Sequence, residues 1–452
     1  MKRRFPATAA RFGLSALLLV YSAIAHCAED AFSKWAAAHA LPVTTVESGN
    51  NDSDLLPLES VVGAAHVVAF GEPTHGAHEP LAFRNRLFRF LVERMGFTAI
   101  ALESGFTESI SARSFIEGGE GDAETAVRTG LSSWLIRYLE NRELIQWMRD
   151  YNATASSAGH RKIRFYGIDL TDGARVSGPR RAINSALTFL SRADPTTGQK
   201  IRDSLSDSLP GIDDGEFGSL SAAAEAEFDS SIKAIAKAMQ KSRKSLIAGS
   251  SDEEYRWALH NLDVARQLAK CLPLTPPAPP AKVGISAWAP TMTCRDSAMA
   301  ENVQWALQNE GRQGRLILFA HNGHVMNAKD DGRRWANVRE KPSMMGLHLR
   351  RVYGKDLYII AMSSATASGG LPSKPIEEDS IDSALAGVGL PLMFLDLRMA
   401  RQNKEALTWI STRRSLNANI SAQSLITPST AVDAFSFVNT LTPAIESSDK
   451  AP

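Results

Sequence analysis

VVAFGEPTHG at 67–76 and TAIALE at 98–103, with the segment 79–95 between them, indicate the fold of this chain. The first and the last begin with apolar runs of strand length, and β-branched residues occur in both. Between them, apolar residues recur at helical spacing. The order of strand, helix and strand predicts a βαβ unit with a right-handed crossover.

Ionisable side chains stand where these two predicted strands end. Glu72 and His75 follow the first strand, and Glu103 closes the second. Ligands of parallel sheets bind beyond the carboxyl ends of the strands. We treat the two strand ends as neighbours, so the three groups predict a site at that edge of the sheet.

Later strand ends carry similar residues. Five further strands are predicted, at 163–168, 315–320, 357–362, 392–397 and 434–438. Asp169 ends the first of them, and His321 and His324 follow the second. Four of the ten histidines, counting His75 and His78, lie just after predicted strands. This concentration strengthens the prediction of a histidine and carboxylate site.

The helical predictions cover two regions. The spacing of leucines and aromatic residues predicts one helix within 125–152. The region 178–280 is rich in Ala, Ser, Lys and Glu, contains amphipathic segments at 221–247 and 253–272, and ends in a proline-rich stretch. We interpret it as a helical insertion followed by a linker.

These patterns predict an α/β fold with a mostly parallel central sheet, flanked by helices and carrying a helical insertion or subdomain. The expected division is 1–28 as a signal peptide, 29–177 and 281–446 as the two parts of the α/β core, 178–280 as the insertion and linker, and 447–452 as a disordered tail.

The N-terminus predicts export. Basic residues precede the apolar segment 12–25, and small residues follow it, as in a secretory signal peptide. We therefore expect a periplasmic or secreted protein without stable membrane insertion. In such an oxidising compartment Cys271 and Cys294 could pair, and the sequence leaves this open. The net charge of +1 among 452 residues gives no indication of a nucleic-acid partner.

Several chemistries lack their motifs. The sequence contains no G-x-S-x-G elbow, no H-E-x-x-H, no P-loop and no G-x-G-x-x-G. The chemistry that remains is general-base catalysis, in which a histidine takes a proton from water. His75 is the candidate base, and Glu72 or Glu103 would fix its tautomer. His321, His324 and Arg84 are candidates for stabilising an oxyanion.

Alternatives stay open at this point. Two histidines and two glutamates also suit a metal-dependent hydrolase, and a histidine can bind haem in a protein without turnover. Arg84 is either directed toward the strand ends or exposed on its helix. Asp169 either caps the following segment or serves the site.

The motifs at 71–76, 101–103 and 320–324, together with Arg84 and the Arg-Asp pair at 295–296, resemble the erythromycin esterase family. The resemblance runs from about 41 to 443. It implies an α/β fold with an added helical region and a deep cleft. It also implies hydrolysis of the macrolactone ester of erythromycin-type antibiotics, without a required metal or other cofactor.

Carried over residue by residue, the resemblance makes His75 the general base on water. Glu72 and Glu103 would orient it or place the water, and Arg84 with His321 or His324 would complete the site. The expected partner is a small-molecule ester. We assign the remaining polar residues at the strand ends and in the later motifs to substrate binding: His324, Asp169 and Arg295.

Overall fold

The computed structural model describes residues 31–49, 51–170, 179–205, 222–276, 280–417, 419–420 and 423–446. The predicted signal peptide at 1–28 and the predicted tail at 447–452 lie outside these residues.

An eight-stranded sheet forms the centre of the molecule. Its strands are β1 (Leu41–Pro42), β2 (Val67–Glu72), β3 (Ala99–Gly105), β4 (Arg164–Asp169), β5 (Leu316–His321), β6 (Leu357–Ala367), β7 (Leu392–Asp396) and β10 (Ala434–Leu441). They lie in the order β1-β7-β10-β6-β2-β5-β3-β4. The pairings from β10 to β4 are parallel, and β7 is antiparallel to both neighbours. The predicted mostly parallel sheet is therefore confirmed. A separate hairpin pairs β8 (Arg414–Leu416) with β9 (Ser424–Ile426).

Helices cover both faces of the sheet. They are α1 (31–39), α2 (Pro57–Val62), α3 (His78–Met95), α4 (Ser109–Ile116), α5 (Ala123–Gly130), α6 (Leu139–Ala155), α7 (Pro179–Ala193), α8 (Pro195–Leu205), α9 (Ala222–Lys241), α10 (Arg243–Ala248), α11 (Asp252–Cys271), α12 (Pro280–Val283), α13 (Ala289–Glu310), α14 (Asn322–Val325), α15 (Met345–Tyr353), α16 (Ile381–Ala386), α17 (Lys404–Ile410) and α18 (Pro428–Ala431).

Strand β2 shows why two helical layers are needed. Val67 and Ala69 belong to an apolar cluster with α7, α11 and α13, whereas Val68 and Phe70 belong to a second cluster with α3, α5 and α6. Successive side chains of a strand point to opposite faces, so a continuous apolar run requires cover on both. The sheet is thus enclosed, and only its strand ends are available for a site.

The strand order differs from the prediction at one point that matters. β5 lies between β2 and β3, with Leu316 in register with Val67 on one side and with Ala99 on the other. The expectation that the first two strand ends are neighbours is wrong. The crossover helix α3 skips one strand position, which a chain segment more than two hundred residues later fills.

The predicted single helix within 125–152 is also wrong, because the chain leaves helical conformation between α5 and α6. Ser132 explains the break. Its backbone N–H donates to Ser104 Oγ at 2.8 Å, and its own Oγ accepts the N–H of Gly105 at 3.0 Å. The segment therefore bonds to the end of β3 instead of continuing the helix.

The predicted helical region does consist of helices where it is described, and its apolar face joins the cluster on one face of the sheet. Cys271 at the end of α11 and Cys294 in α13 form a disulfide, which decides the question that the sequence leaves open. In the described residues, no helix combines the length and the apolar character that a membrane span requires.

Candidate active site

Four parallel strands bring their carboxyl ends to one edge of the sheet. Glu72 is in register with His321 across β2 and β5, and Gly105 with Asp169 across β3 and β4. Glu103 lies near the end of β3. The predicted convergence of these residues is therefore observed, although β5 rather than β3 is the neighbour of β2.

His75 and Glu72 form the closest pair. Nδ1 of His75 lies 2.6 Å from Glu72 Oε1. The Glu72 side chain is entirely buried, whereas 45% of the His75 side chain is accessible. A buried carboxylate that accepts Nδ1–H fixes the tautomer and leaves Nε2 with a lone pair. The accessible part of the imidazole opens on the cavity described below.

The electrostatics of the pair favour a basic imidazole. Desolvation alone would lower the pKa of His75, but the Glu72 carboxylate, with a smaller effect of Glu103, raises it above its ordinary value. Burial raises the pKa of Glu72, and its attraction to His75 opposes that rise. The two groups are so close that their titrations are coupled: the protonation state of each one changes the pKa of the other.

Two rings frame His75. The Trp134 ring centroid lies 4.1 Å away, and that of His321 lies 5.4 Å away. Trp134 belongs to the break between α5 and α6, so the hydrogen bonds of Ser132 hold this wall in place. From the sequence, Trp134 was not singled out as a site residue, since it lies within the segment predicted as one helix and carries no motif of its own.

Glu103 serves a different part of the site from the one predicted. One of its oxygens accepts from Arg295 Nη2 at 2.9 Å and lies 3.3 Å from His324 Nε2, and the other accepts the backbone N–H of His321 at 2.9 Å. Burial opposes ionisation, but His324, Arg295 and His75 hold its pKa well below the usual range. Glu72, not Glu103, is therefore the carboxylate that orients His75.

Arg295 is held by two carboxylates. Its Nε and Nη2 donate to the two oxygens of Asp169 at 2.9 and 2.5 Å, in addition to the bond with Glu103. Asp169 also accepts the N–H of Leu170. Asp169 therefore has both roles that the sequence left open: it caps the following segment, and it holds Arg295 of the site. Asp169 itself is buried and does not line the cavity.

His324 lies between two acids. Nδ1 is 2.7 Å from Asp296 Oδ1, and Nε2 faces Glu103. Burial alone would lower the pKa of His324, but Asp296 and Glu103 raise it to about 10. That shift favours the imidazolium, whose two N–H groups face Asp296 and Glu103, and its Nε2 lies 3.3 Å from Arg295 Nη1. Sequence reasoning did not assign Asp296 a role, although its place in the Arg-Asp pair was noted.

His321 is neutral and fully bonded. Its Nε2–H donates to the carbonyl of Pro73 at 3.3 Å, and its Nδ1 accepts the N–H of Gly323 at 3.1 Å. Burial, with the nearby charges of His75 and His324, lowers its pKa to about 3. With its only N–H engaged by Pro73, His321 is a poor oxyanion donor and serves to separate the other two histidines.

Arg84 does not reach the cavity. Its side chain is 0% exposed, donates to Asn85 Oδ1, and lies with its guanidinium carbon 4.8 Å from the Phe319 ring centroid. Burial lowers its pKa to about 10, while Glu72 counters that shift. Arg84 is thus directed toward the strand ends, where its charge interacts with that of Glu72, but it is buried between α3 and the sheet and does not line the cavity. His78, held between Glu47 and Glu140 at 2.6 Å each, also lies outside the cavity.

A cavity of about 790 Å³ opens above this edge of the sheet. Its volume is in the range of sites for drug-sized ligands. Its wall contains the polar groups His75, Glu103, Arg295 and His324. Apolar side chains also line it: Trp134, Leu268, Trp288, Met292, Met344 and Ile420. The arrangement therefore combines one basic imidazole, two fixed cationic groups and an apolar surface.

The metal-dependent alternative requires converging free ligands. Within the described ranges, no group of three or more His, Cys, Asp or Glu side chains is arranged to hold a metal ion. The candidates instead meet as hydrogen-bonded pairs: His75 with Glu72, and His324 with Asp296.

Comparisons with known proteins agree with this architecture. The family model described as Erythromycin esterase matches residues 92–441. Erythromycin esterase type II of Escherichia coli is 32% identical over 142 residues, a match that spans 31% of this chain and 32% of that relative.

Two solved structures are also similar. A Bacillus cereus protein has a TM-score of 0.75 at 25% identity, and the match covers 92% of this chain and 98% of that one. A mutant of the erythromycin esterase EreC in its open conformation has a TM-score of 0.61 at 20% identity, with 87% of this chain and 95% of that one covered. At that identity the second likeness concerns the fold alone.

Proposed function

Because this chain belongs to the erythromycin esterase family, we propose that it is a hydrolase of carboxylic esters in which His75 activates water. The hydrogen bond between buried Glu72 and partly accessible His75 carries this proposal. It holds the imidazole in the tautomer that presents a basic Nε2 to the cavity, which is what general-base catalysis at a carbonyl requires.

The reaction begins when Nε2 of His75 removes a proton from a water molecule as the water oxygen attacks the ester carbonyl. Glu72 stabilises the imidazolium that forms. The tetrahedral oxyanion collapses, the bond from carbon to the alcohol oxygen breaks, and the alkoxide takes the proton back from Nε2. The products are a carboxylic acid and an alcohol, and one water molecule is consumed.

Arg295 is the group best suited to stabilise the oxyanion, and His324 adds a second positive charge beside it. Both line the cavity together with His75, and both are cationic. Asp169, Glu103 and Asp296 fix their positions through direct hydrogen bonds. Donors that are already oriented before charge develops contribute most to catalysis, because no reorganisation is needed during the reaction.

The ester proposed for testing first is a macrolide lactone. The name of the Escherichia coli relative supports it, as does a cavity large enough for a bulky, largely apolar substrate. We further propose a periplasmic or secreted location, which the predicted signal peptide supports. The Cys271–Cys294 disulfide supports it as well, since such bonds persist in oxidising compartments.

A panel of macrolides and aryl esters tests the proposal, read as the gain of one water by mass spectrometry for a lactone and as release of the phenol for an aryl ester. The wild type should convert at least one ester, and His75→Ala should lose about 10²- to 10⁴-fold in kcat. His160→Ala is the matched control, because that exposed histidine lies outside the cavity. Equal activity of His75→Ala and His160→Ala would remove the proposed role of His75.

Two other measurements address the alternatives left by the sequence. Elemental analysis and a chelator distinguish the water-activating histidine from a metal-dependent hydrolase, since activity should survive chelation. Addition of haem, followed by its visible spectrum, tests for a binding protein without turnover.

A further inference from the structure

The cavity has a second polar zone that the proposed reaction does not use. Arg333, Arg334 and Lys374 line the same cavity as His75, and all three are exposed. None of them takes part in the hydrogen-bond network around Glu72 and Glu103. They therefore raise the question of which part of a substrate would meet them.

Two of these cations have no carboxylate partner in the structure as described. Arg333 Nη2 is paired with Glu377 at 2.5 Å. The Arg334 guanidinium carbon instead lies 5.5 Å from the Trp335 ring centroid. Among the described residues, no acidic side chain lies within ion-pairing distance of Arg334 or Lys374. Their charge is thus available to a ligand.

Backbone contacts hold both cations at the cavity wall. The N–H of Lys374 donates to the carbonyl of Asn419 at 2.7 Å, and the Asn419 amide donates to two carbonyls of β6 at 2.9 Å. Ahead of Arg334, Gly332 packs so closely that a Cβ there would lie 1.8 Å from the carbonyl oxygen of Gln423, which also lines the cavity. The two charges therefore project from anchored segments.

The acids of the cavity do not offset this charge. Glu103 and Asp330 are the acidic residues of its described wall. Glu103 is fully engaged by Arg295, His324 and a backbone N–H. Asp330 accepts the N–H of Gly332, and burial raises its pKa. Even with both acids ionised, the four arginine and lysine side chains of the wall outnumber them. A cavity with an excess of one charge concentrates ligands of the opposite charge.

We propose that the substrate is an anionic ester, whose reacting carbonyl lies at His75 while a fixed negative charge on its other part is bound by Arg334 and Lys374. This inference rests on the proposed esterase function, and it replaces the macrolide lactone with an anionic ester as the preferred substrate. The apolar wall then receives the hydrocarbon between the two ends. A carboxylate suits both a guanidinium and an ammonium as partners, through charge-assisted hydrogen bonds.

The test compares 4-nitrophenyl valerate with mono-4-nitrophenyl glutarate, in which a carboxylate replaces the terminal methyl. Both rates are corrected for spontaneous hydrolysis, because the glutarate carboxylate also attacks its own ester carbonyl. The full-length protein should have a kcat/KM about tenfold higher for the glutarate, from a lower KM, and the preference should shrink as salt is added. In the double variant Arg334→Gln/Lys374→Gln the ratio should fall toward one. The control Arg339→Gln/Lys355→Gln removes the same charge outside the cavity and should keep the wild-type ratio.

A binding measurement separates the two levels of the proposal. Calorimetry compares the mono-anilide of glutaric acid with valeranilide, since neither is an ester and neither depends on turnover. Tighter binding of the anionic anilide by the wild type, lost in the Arg334→Gln/Lys374→Gln variant, supports the anionic class even where neither ester is hydrolysed, which would count against the esterase alone. Equal binding of the two anilides, or an unchanged preference in the double variant, overturns the anionic class while leaving ester hydrolysis standing.

Discussion

Nδ1 of His75 lies 2.6 Å from Oε1 of Glu72, and this bond connects the accessible cavity to a fully buried carboxylate. The second Glu72 oxygen has no hydrogen-bond partner among the described residues. The hydrogen bond to the imidazole is therefore the one that the Glu72 carboxylate makes among the described residues, and the basicity of His75 depends on it.

The pH dependence of Glu72→Gln follows from that interaction. The carboxylate raises the pKa of His75, and the base works in its neutral form, so wild-type kcat/KM should rise with pH through a value above 6.5. Without the carboxylate the pKa of His75 falls, so the rising limb should move to lower pH. The maximal rate should drop by about 10²- to 10⁴-fold as the tautomer is lost. A pH–rate profile checks this, and an unmoved limb would contradict it.

Arg295→Lys tests the oxyanion role. Lysine keeps the charge, but it cannot make the paired bonds to Asp169 together with the bond to Glu103. We expect kcat to fall by about 10²- to 10³-fold with little change in KM, because the interaction belongs to the transition state. Steady-state kinetics with circular dichroism checks the variant. A rise in KM alone would instead assign Arg295 to substrate binding.

Stability should depend on pH through His324. Its folded-state pKa of about 10 exceeds the ordinary value of 6.5, so its stabilising contribution is full below pH 6.5 and is lost as pH rises through 10. The free energy of unfolding should therefore fall by up to about 1.4 kcal/mol per pH unit in that window.

Asp296→Asn provides the comparison for that window. Because it removes the charge at Nδ1 of His324, the pKa of His324 drops and the pH dependence becomes shallower. Urea unfolding at several pH values between 7 and 10 measures both proteins. Parallel curves would show that His324 does not titrate in this range.

The disulfide should contribute stability at the cavity wall. Cys271 lines the cavity, Cys294 directly precedes Arg295, and the two cysteines are 23 positions apart in the sequence. Loop closure of that length predicts a loss of about 3 kcal/mol in the free energy of unfolding for Cys271→Ser/Cys294→Ser. A reductant should destabilise the wild type and leave the double variant unaffected. Equal responses of the two proteins would contradict this.

Local patterns predicted the individual strands and the helix α3 well, because the apolar period of each run is set by burial of that run alone. They could not give the strand order. The position of β5 between β2 and β3 depends on contacts between Leu316 and residues more than two hundred positions away.

The site shows the same division. Glu72 and His75 are three residues apart, so their pairing was within reach of sequence reasoning. The contacts of Glu103 with Arg295 and His324 could not be predicted in this way, because these two residues belong to α13 and α14, which are far from Glu103 in the sequence. That Arg84 is buried outside the cavity could not be predicted either, because a helix that is buried on nearly all sides has no polar face to indicate which charges turn inward.

Chemical rescue of His75→Gly by imidazole tests the central claim most directly, on the best ester of the panel. We predict that the variant folds, loses about 10²- to 10⁴-fold in kcat, and regains activity as imidazole is added. The rescued rate should be proportional to the concentration of neutral imidazole. Near wild-type hydrolysis by His75→Gly, with no response to imidazole, would contradict it.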